Sequence, residues 1–207
     1  MNATKTAKPL GIILAGGLAR RMGGGDKCLL QLGNETILER VVVRLNSQVE
    51  AVALNANNDV SRFSDFDLKV LPDSIGGFLG PLAGVLAGME WAALCGVTTI
   101  VTVAGDTPFF PNDLVSKLQC VGSGMKYPVV LAATQKSNCS LKRHPTFGLW
   151  AVGLRDDLRK SLENGIRKIT LWTDKHNGRE AIFSESDTEN FFNINSPQDL
   201  MIAERML

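Results

Sequence analysis

Apolar and polar positions follow two rhythms along the chain. Leu10 to Ala15 is a short, continuously apolar run that stops at Gly16-Gly17, the pattern of a strand buried on both faces. Beyond Asn34, residues Ile37, Leu38, Val41, Val42 and Leu45 recur at helical spacing with Glu39, Arg40 and Arg44 opposite, which predicts an amphipathic helix. Val49 to Leu54 and Leu68 to Leu71 read as strands, and Leu82, Val85, Leu86 and Met89 mark a second helix. Thr98 to Val103 is β-branched throughout, as a central strand favours, and runs into Ala104-Gly105-Asp106.

A third helix is expected from near Pro111, since proline suits a first helical turn, to about Cys120. Val129 to Ala132 and Phe147 to Val152 look like strands, 155–176 like two helices around Gly165, and Ala181 to Phe183 like another strand. Ser196-Pro-Gln-Asp199 opens a last helix, with serine as cap and aspartate reaching back to it. Strands that alternate with helices predict an α/β, Rossmann-like fold. Its sheet is mostly parallel, helices cover both faces, and ligands bind outside the carboxyl ends of the strands. With no repeat or Pro/Ser-rich linker, one domain over 10–207 is expected after a flexible N-terminal tail at 1–9.

Composition narrows the function. The 207 residues are 44% apolar and carry 22 Lys+Arg against 21 Asp+Glu, so no general basic surface for nucleic acid or an anionic membrane is expected. No apolar run approaches the ~20 residues of a membrane span. Lys5 and Lys8 before Leu10 to Ala15 imitate a signal peptide, but the apolar run is too short. Cys28, Cys95, Cys120 and Cys139 form no C-x-x-C pair, which favours a reducing cytoplasm and cysteines that pack as small apolar residues or sit exposed. With only His144 and His176 beside them, a structural zinc site is not expected.

The richest stretch is Leu14-Ala-Gly-Gly-Leu-Ala-Arg-Arg-Met-Gly-Gly-Gly-Asp-Lys27, directly after the first strand. Its glycines let consecutive backbone N–H groups surround an anion, and Arg20, Arg21 and Lys27 add positive charge. The pattern predicts a polyphosphate site, although neither a Walker A loop nor a G-x-G-x-x-G fingerprint is present. Asp106, in Val103-Ala-Gly-Asp-Thr-Pro-Phe109, falls on the same rim, where a carboxylate suits Mg²⁺ bound together with substrate phosphates. Asp65-Phe-Asp67 has metal-binding spacing but precedes a strand, and is read as solvated. Asn55 and Asp73 each follow a strand, so either suits contact with base or ribose, or ordinary turn chemistry.

Taken in order with Gly80-Pro-Leu-Ala-Gly84, Gly105-Asp-Thr-Pro-Phe109, His144-Pro-Thr146 and Asn193-Ile-Asn-Ser-Pro197, this run resembles the molybdenum cofactor guanylyltransferases over about residues 10–205. The resemblance implies a Rossmann-like nucleotidyltransferase fold and transfer of GMP from Mg-GTP to the terminal phosphate of molybdopterin, with pyrophosphate released. It implies nucleotide contacts from Leu14, Ala15, Gly16, Gly17, Lys27, Asn55, Asp73 and Asp106, with Mg²⁺ at Asp106 assisted by Asn195. It places Gly80, Pro81, His144 and Thr146 toward the acceptor, and molybdenum-insertion and molybdoenzyme maturation proteins as partners. Two stretches depart from the family pattern: Gly76 to Leu79, and a polar insertion from Gln135 to Arg143.

The chemistry suits the chain, because an acceptor phosphate is already ionised near neutral pH and needs no strong base. Catalysis then rests on positioning and cations, namely Lys27, Mg²⁺ at Asp106, and Arg20 or Arg21 on the leaving group, with Arg21 taken as catalytic. Rival readings are a molybdopterin cytidylyltransferase, a sugar-1-phosphate nucleotidyltransferase, or a nucleotide-binding protein without turnover. His144 is read as structural or substrate-positioning rather than as a catalytic acid. Trp91, Trp150 and Trp172 are read as packing residues.

Overall fold

A computed structural model describes residues 8–15, 26–77, 80–135, 139–184 and 189–207. Seven strands form the central sheet: β1 (Leu10–Leu14), β4 (Val52–Asn55), β5 (Lys69–Leu71), β6 (Thr99–Ala104), β7 (Val129–Gln135), β8 (Leu141–Ala151) and β9 (Arg179–Phe183). A two-stranded ribbon, β2 (Gln31–Leu32) and β3 (Glu35–Thr36), stands apart from it. The sheet order is β5-β4-β1-β6-β8-β7-β9, and every pairing is parallel except those of β8 with β6 and β7.

Helices α1 (Ile37–Asn46) and α3 (Leu114–Gly122) pack on one face over Ile13, Leu54, Val101 and Val103. Helices α2 (Pro81–Leu94), α4 (Arg155–Glu163) and α5 (Ile169–Lys175) cover the other, over Leu10, Ile12 and Ile100. The strands thus send alternate side chains into two apolar layers, as strands between helices must. Helix α1 starts where expected, because Thr36 and Glu39 form a reciprocal capping box. Ser196 likewise caps α6 (Pro197–Glu204), accepting from the Asp199 N–H at 3.2 Å.

Several boundaries differ from the expected ones. Helix α3 starts at Leu114 because Pro111 closes a turn, its carbonyl accepting from the Leu114 N–H at 3.1 Å. Strand β4 runs through Asn55, so this residue closes the strand instead of following it. The larger difference is β8, which begins at Leu141 and not at Phe147. Lys142, Arg143 and Pro145 make this half look like loop, yet Leu141 to His144 pair with Ala132 to Gln135. Of the stretch that reads as a polar insertion, Gln135 closes β7 and Leu141 to Arg143 open β8, while residues 136–138 lie outside the described residues.

Glycine sets how closely α2 lies on the sheet. A Cβ on Gly84 would stand 2.1 Å from Asn55 Oδ1 and 2.7 Å from Leu14 Cδ2. The bare backbone lets the helix start press onto the carboxyl ends of β1 and β4.

Candidate active site

The chain leaves β1 by way of α1 to β4 and β5, then returns by way of α2 to β6 on the other side of β1. Strands β1 and β6 therefore flank a switch point, where connections diverge and leave a crevice at the strand ends. The Gly105 N–H donates to the Leu14 carbonyl at 3.0 Å across that gap, and Asp106 follows directly on the rim.

Lys27 enters from the turn after the glycine-rich stretch. Its Nζ donates to Asn195 Oδ1 at 2.6 Å and stands 3.8 Å from Asp106 Oδ2. Asn195 is held in turn by its own N–H, which donates to Asp199 Oδ2 at 2.9 Å. The Asp106 carbonyl accepts from the Ile194 N–H at 3.0 Å, tying the loop after β6 to the segment before α6. Thr107 Oγ1 bonds Asp106 Oδ1 at 3.2 Å and also meets Asn193 Oδ1. Burial raises the Asp106 pKa above the ordinary carboxylate value, opposed by the Lys27 charge and the Thr107 hydroxyl. A carboxylate that desolvated gains from a second cation.

Asn55 and Asp73 meet on the far side of β1. Asn55 is buried, and its Nδ2 donates to the Leu71 carbonyl at 3.0 Å and to Asp73 Oδ1 at 2.9 Å. Asn57 holds the other carboxylate oxygen: its Nδ2 donates to Asp73 Oδ2 at 2.8 Å, and the Asp73 N–H donates back to Asn57 Oδ1 at 2.9 Å. Arg62 extends this clamp, donating to the Asn57 carbonyl at 2.9 Å and pairing with Asp26, the neighbour of Lys27.

These residues frame a cleft of about 400 Å³ bounded by Leu14, Asn55, Asp73, Gly80, Pro81 and Asp106. Gly80 and Pro81, expected on the acceptor side, thus stand in the same cleft as the nucleotide residues. Ala15 lines a small recess with Lys27, Cys28 and Asp106, and its N–H is committed to the Asn55 carbonyl at 3.0 Å. Gly16, Gly17, Arg20 and Arg21 lie outside the described residues.

A second cleft of about 410 Å³ adjoins the first and shares Thr146 and Asn193 with it. His144, Phe191 and Phe192 line it. The His144 ring is stacked on Phe191, with centroids 4.1 Å apart, and its Nε2 is 3.1 Å from Thr134 Oγ1. Burial, then Lys142, pushes its pKa down to about 4. A neutral, stacked imidazole fits the structural or positioning role and not that of an acid near neutral pH.

Neither Asn57 nor Thr107 is singled out by sequence; the only hint of the former is the asparagine pair that brackets Ala56. Asp65 and Asp67 are solvent-exposed, as expected. Cys28 is buried, with its thiol pushed up to about 12, while the other three cysteines are exposed and unbridged. Among the described residues no group of three or more His, Cys, Asp or Glu side chains could hold a metal, and no helix is long and apolar enough to cross a membrane.

A rim carboxylate beside a lysine at the switch point of a mostly parallel sheet fits the class of nucleotidyltransferases. Residues 11–177 match the family described as the MobA-like NTP transferase domain. A curated relative from Mesorhizobium japonicum is 45% identical over 95% of both chains, and one from Nitrobacter hamburgensis is 43% identical over 95% of this chain and 93% of its own. Both are named molybdenum cofactor guanylyltransferase. The fold is shared with a crystal structure of molybdopterin-guanine dinucleotide biosynthesis protein A from Archaeoglobus fulgidus, at a TM-score of 0.70 and 21% identity, covering 95% of this chain and 97% of that one. The chain belongs to the MobA-like NTP transferases and, within them, to the molybdenum cofactor guanylyltransferase family.

Proposed function

We propose that the protein transfers GMP from GTP to the terminal phosphate of molybdopterin, giving the guanine dinucleotide form of the cofactor and pyrophosphate. The observation that carries this reading is the meeting of two clefts of similar size at Thr146 and Asn193, with Asp106 on the edge of the first. One cleft suits the nucleotide, with Asn55 and Asp73 toward the nucleoside, and the other suits a flat, partly apolar acceptor against Phe191 and Phe192.

An ionised oxygen of the acceptor phosphate attacks the α-phosphorus of GTP. The bond from that phosphorus to the bridging oxygen of the β-phosphate breaks, and pyrophosphate leaves with the electron pair. Lys27 lies within reach of Asp106 and supplies a fixed positive charge to the phosphates, held by Asn195 before substrate arrives. Arg21 is assigned to the leaving group. Asp106 and Asn195 suit Mg²⁺, which is commonly held by one or two carboxylates and completed by substrate phosphates; when bound, it would neutralise charge on the triphosphate. Both asparagine and aspartate present oxygen ligands, and the half-buried Asp106 carboxylate has a deficit of solvation that a cation would offset.

The domain is taken to span 10–207 after the 1–9 tail, and to work in the cytoplasm. Molybdenum-insertion and molybdoenzyme maturation proteins would supply the acceptor and receive the product. The test is pyrophosphate release with Mg²⁺ and molybdopterin in the presence of GTP, CTP or ATP. Release with GTP alone is expected; release with CTP alone would make the protein a cytidylyltransferase, and none with any nucleotide would overturn the proposal.

A further inference from the structure

The pairing of β8 changes at the place where the two clefts meet. On β6 the ladder runs from Thr99↔Ala151 to Thr102↔Gly148 and ends there. On β7 the register jumps from Leu131↔Gly148 to Ala132↔His144. Pro145, Thr146 and Phe147 are thus additional residues on β8, a wide irregularity that bends the strand away from the rim of β6. Thr146, which borders both clefts, lies in the middle of it.

Neither register pairs Thr146 with a residue of β6 or β7, and a side chain holds its carbonyl. Thr102 Oγ1 donates to it at 2.8 Å. The same hydroxyl accepts from Trp150 Nε1 at 2.9 Å. An indole N–H only donates, so the direction of the relay is fixed: Trp150 to Thr102, and the single hydroxyl proton to Thr146. Thr102 and Trp150 are both 0% exposed, and Trp150 packs against Trp172 with centroids 6.1 Å apart. The hydroxyl and the indole are thus shielded from solvent, and the neighbouring rings restrain the far end of the relay.

We propose that Thr102 is a positioning residue for the acceptor: its hydroxyl, oriented by Trp150, sets where Thr146 stands at the junction of the two clefts. It touches neither substrate. It acts through the Thr146 backbone, and so governs how closely an acceptor phosphate in the second cleft approaches the nucleotide. The inference rests on the proposed transfer of GMP to molybdopterin.

The experiment compares wild-type protein with Thr102→Val and Thr102→Ser in pyrophosphate release, varying GTP and molybdopterin separately, alongside thermal unfolding. Valine keeps the shape and removes the hydroxyl with both of its hydrogen bonds; loss of the one to Thr146, which bears on the acceptor, corresponds to about tenfold, and loss of the one from Trp150 is read in thermal unfolding. Thr102→Val is expected to raise KM for molybdopterin about tenfold and leave KM for GTP within about twofold. Thr102→Ser is expected to restore the acceptor KM. A purely structural role would lower thermal stability and the active fraction with both KM values unmoved, and that result overturns the proposal. Should the valine variant not fold, Trp150→Phe keeps the bond to Thr146 but releases its orientation. It is then expected to raise the acceptor KM about threefold, and an unchanged value overturns the proposal equally. Absence of turnover by the wild-type protein would instead defeat the underlying reaction, leaving the two failures distinct.

Discussion

Lys27 and Asn195, 168 positions apart in the chain, meet at 2.6 Å, with the ammonium donating to the carboxamide oxygen. This contact joins the short helical turn Lys27–Leu29 to the segment before α6 and leaves the lysine 3.8 Å from Asp106. The arrangement suits a compact ammonium and not the wider guanidinium fork. Lys27→Ala is expected to raise KM for GTP and lower kcat together, with kcat/KM down about 10²-fold, because the charge serves both the bound and the reacting triphosphate. Lys27→Arg should recover only a minor part. Kinetics that Lys27→Ala leaves unchanged would remove this residue from the site.

Asp106 should separate activity from stability. Loss of its carboxylate is expected to lower kcat about 10²–10³-fold, by comparison with other single electrostatic contacts. The folded chain, however, raises its pKa through burial, so the protonated form is favoured on folding. A raised pKa means that its favourable contribution is complete below the unfolded value and is lost as pH rises through the folded one. In EDTA, Asp106→Asn should therefore gain thermal stability relative to wild type as pH rises from the ordinary aspartate range. A relative loss over that window would contradict the burial argument.

Magnesium should act on the same equilibrium. A cation that binds only the ionised Asp106 competes with its proton, so the acid limb of kcat/KM should move to lower pH as Mg²⁺ is raised. Measurement of pH profiles at limiting and saturating Mg²⁺ checks this, and coincident limbs would place the metal elsewhere.

Gly84→Ala should act on the nucleotide side. The added methyl would meet Asn55 Oδ1 at 2.1 Å, and both Asn55 and the helix are confined by buried neighbours. Overpacking of this kind costs about 1–3 kcal/mol, and here it must also disturb the bond from Asn55 to Asp73. Thermal unfolding should show the loss of stability, and KM for GTP should rise more than KM for molybdopterin. Equal changes in both would dissociate this clamp from the nucleoside.

What the sequence conveys follows the reach of each signal. Strand β1, the periodicity of helix α1, the β-branched β6 and the Ser196 cap are local patterns, and each matches the fold. The placing of Asp106 on the rim follows from the end of β6 and the topology. Direction and pairing are not local: nothing in Val129 to Ala132 or Phe147 to Val152 states that β8 runs antiparallel between β6 and β7. Lys142, Arg143 and Pro145 mask a strand because their neighbours across the hairpin, not their own propensities, hold them extended. Asn57 is hidden for a similar reason, since its role depends on Asp73, a residue on another strand end.

His144 gives the sharpest separation between a structural and a chemical histidine. Its imidazole is buried against Phe191, and the ring is held neutral from its ordinary value of 6.5 down to about 4. A depressed pKa stabilises the fold above the ordinary value, and that contribution is lost as pH falls through the folded one. His144→Phe retains an aromatic surface against Phe191 but leaves the buried Thr134 hydroxyl without this partner, at a cost of about 1–3 kcal/mol. The melting-temperature gap between wild type and His144→Phe should therefore be widest above pH 6.5 and close as pH approaches about 4. The limbs of the pH–rate profile should coincide for the two proteins near neutrality, because a neutral imidazole has no proton to lose there. A limb that disappears with the histidine would make it a proton donor, and the acceptor cleft would then take part in acid–base chemistry as well as binding.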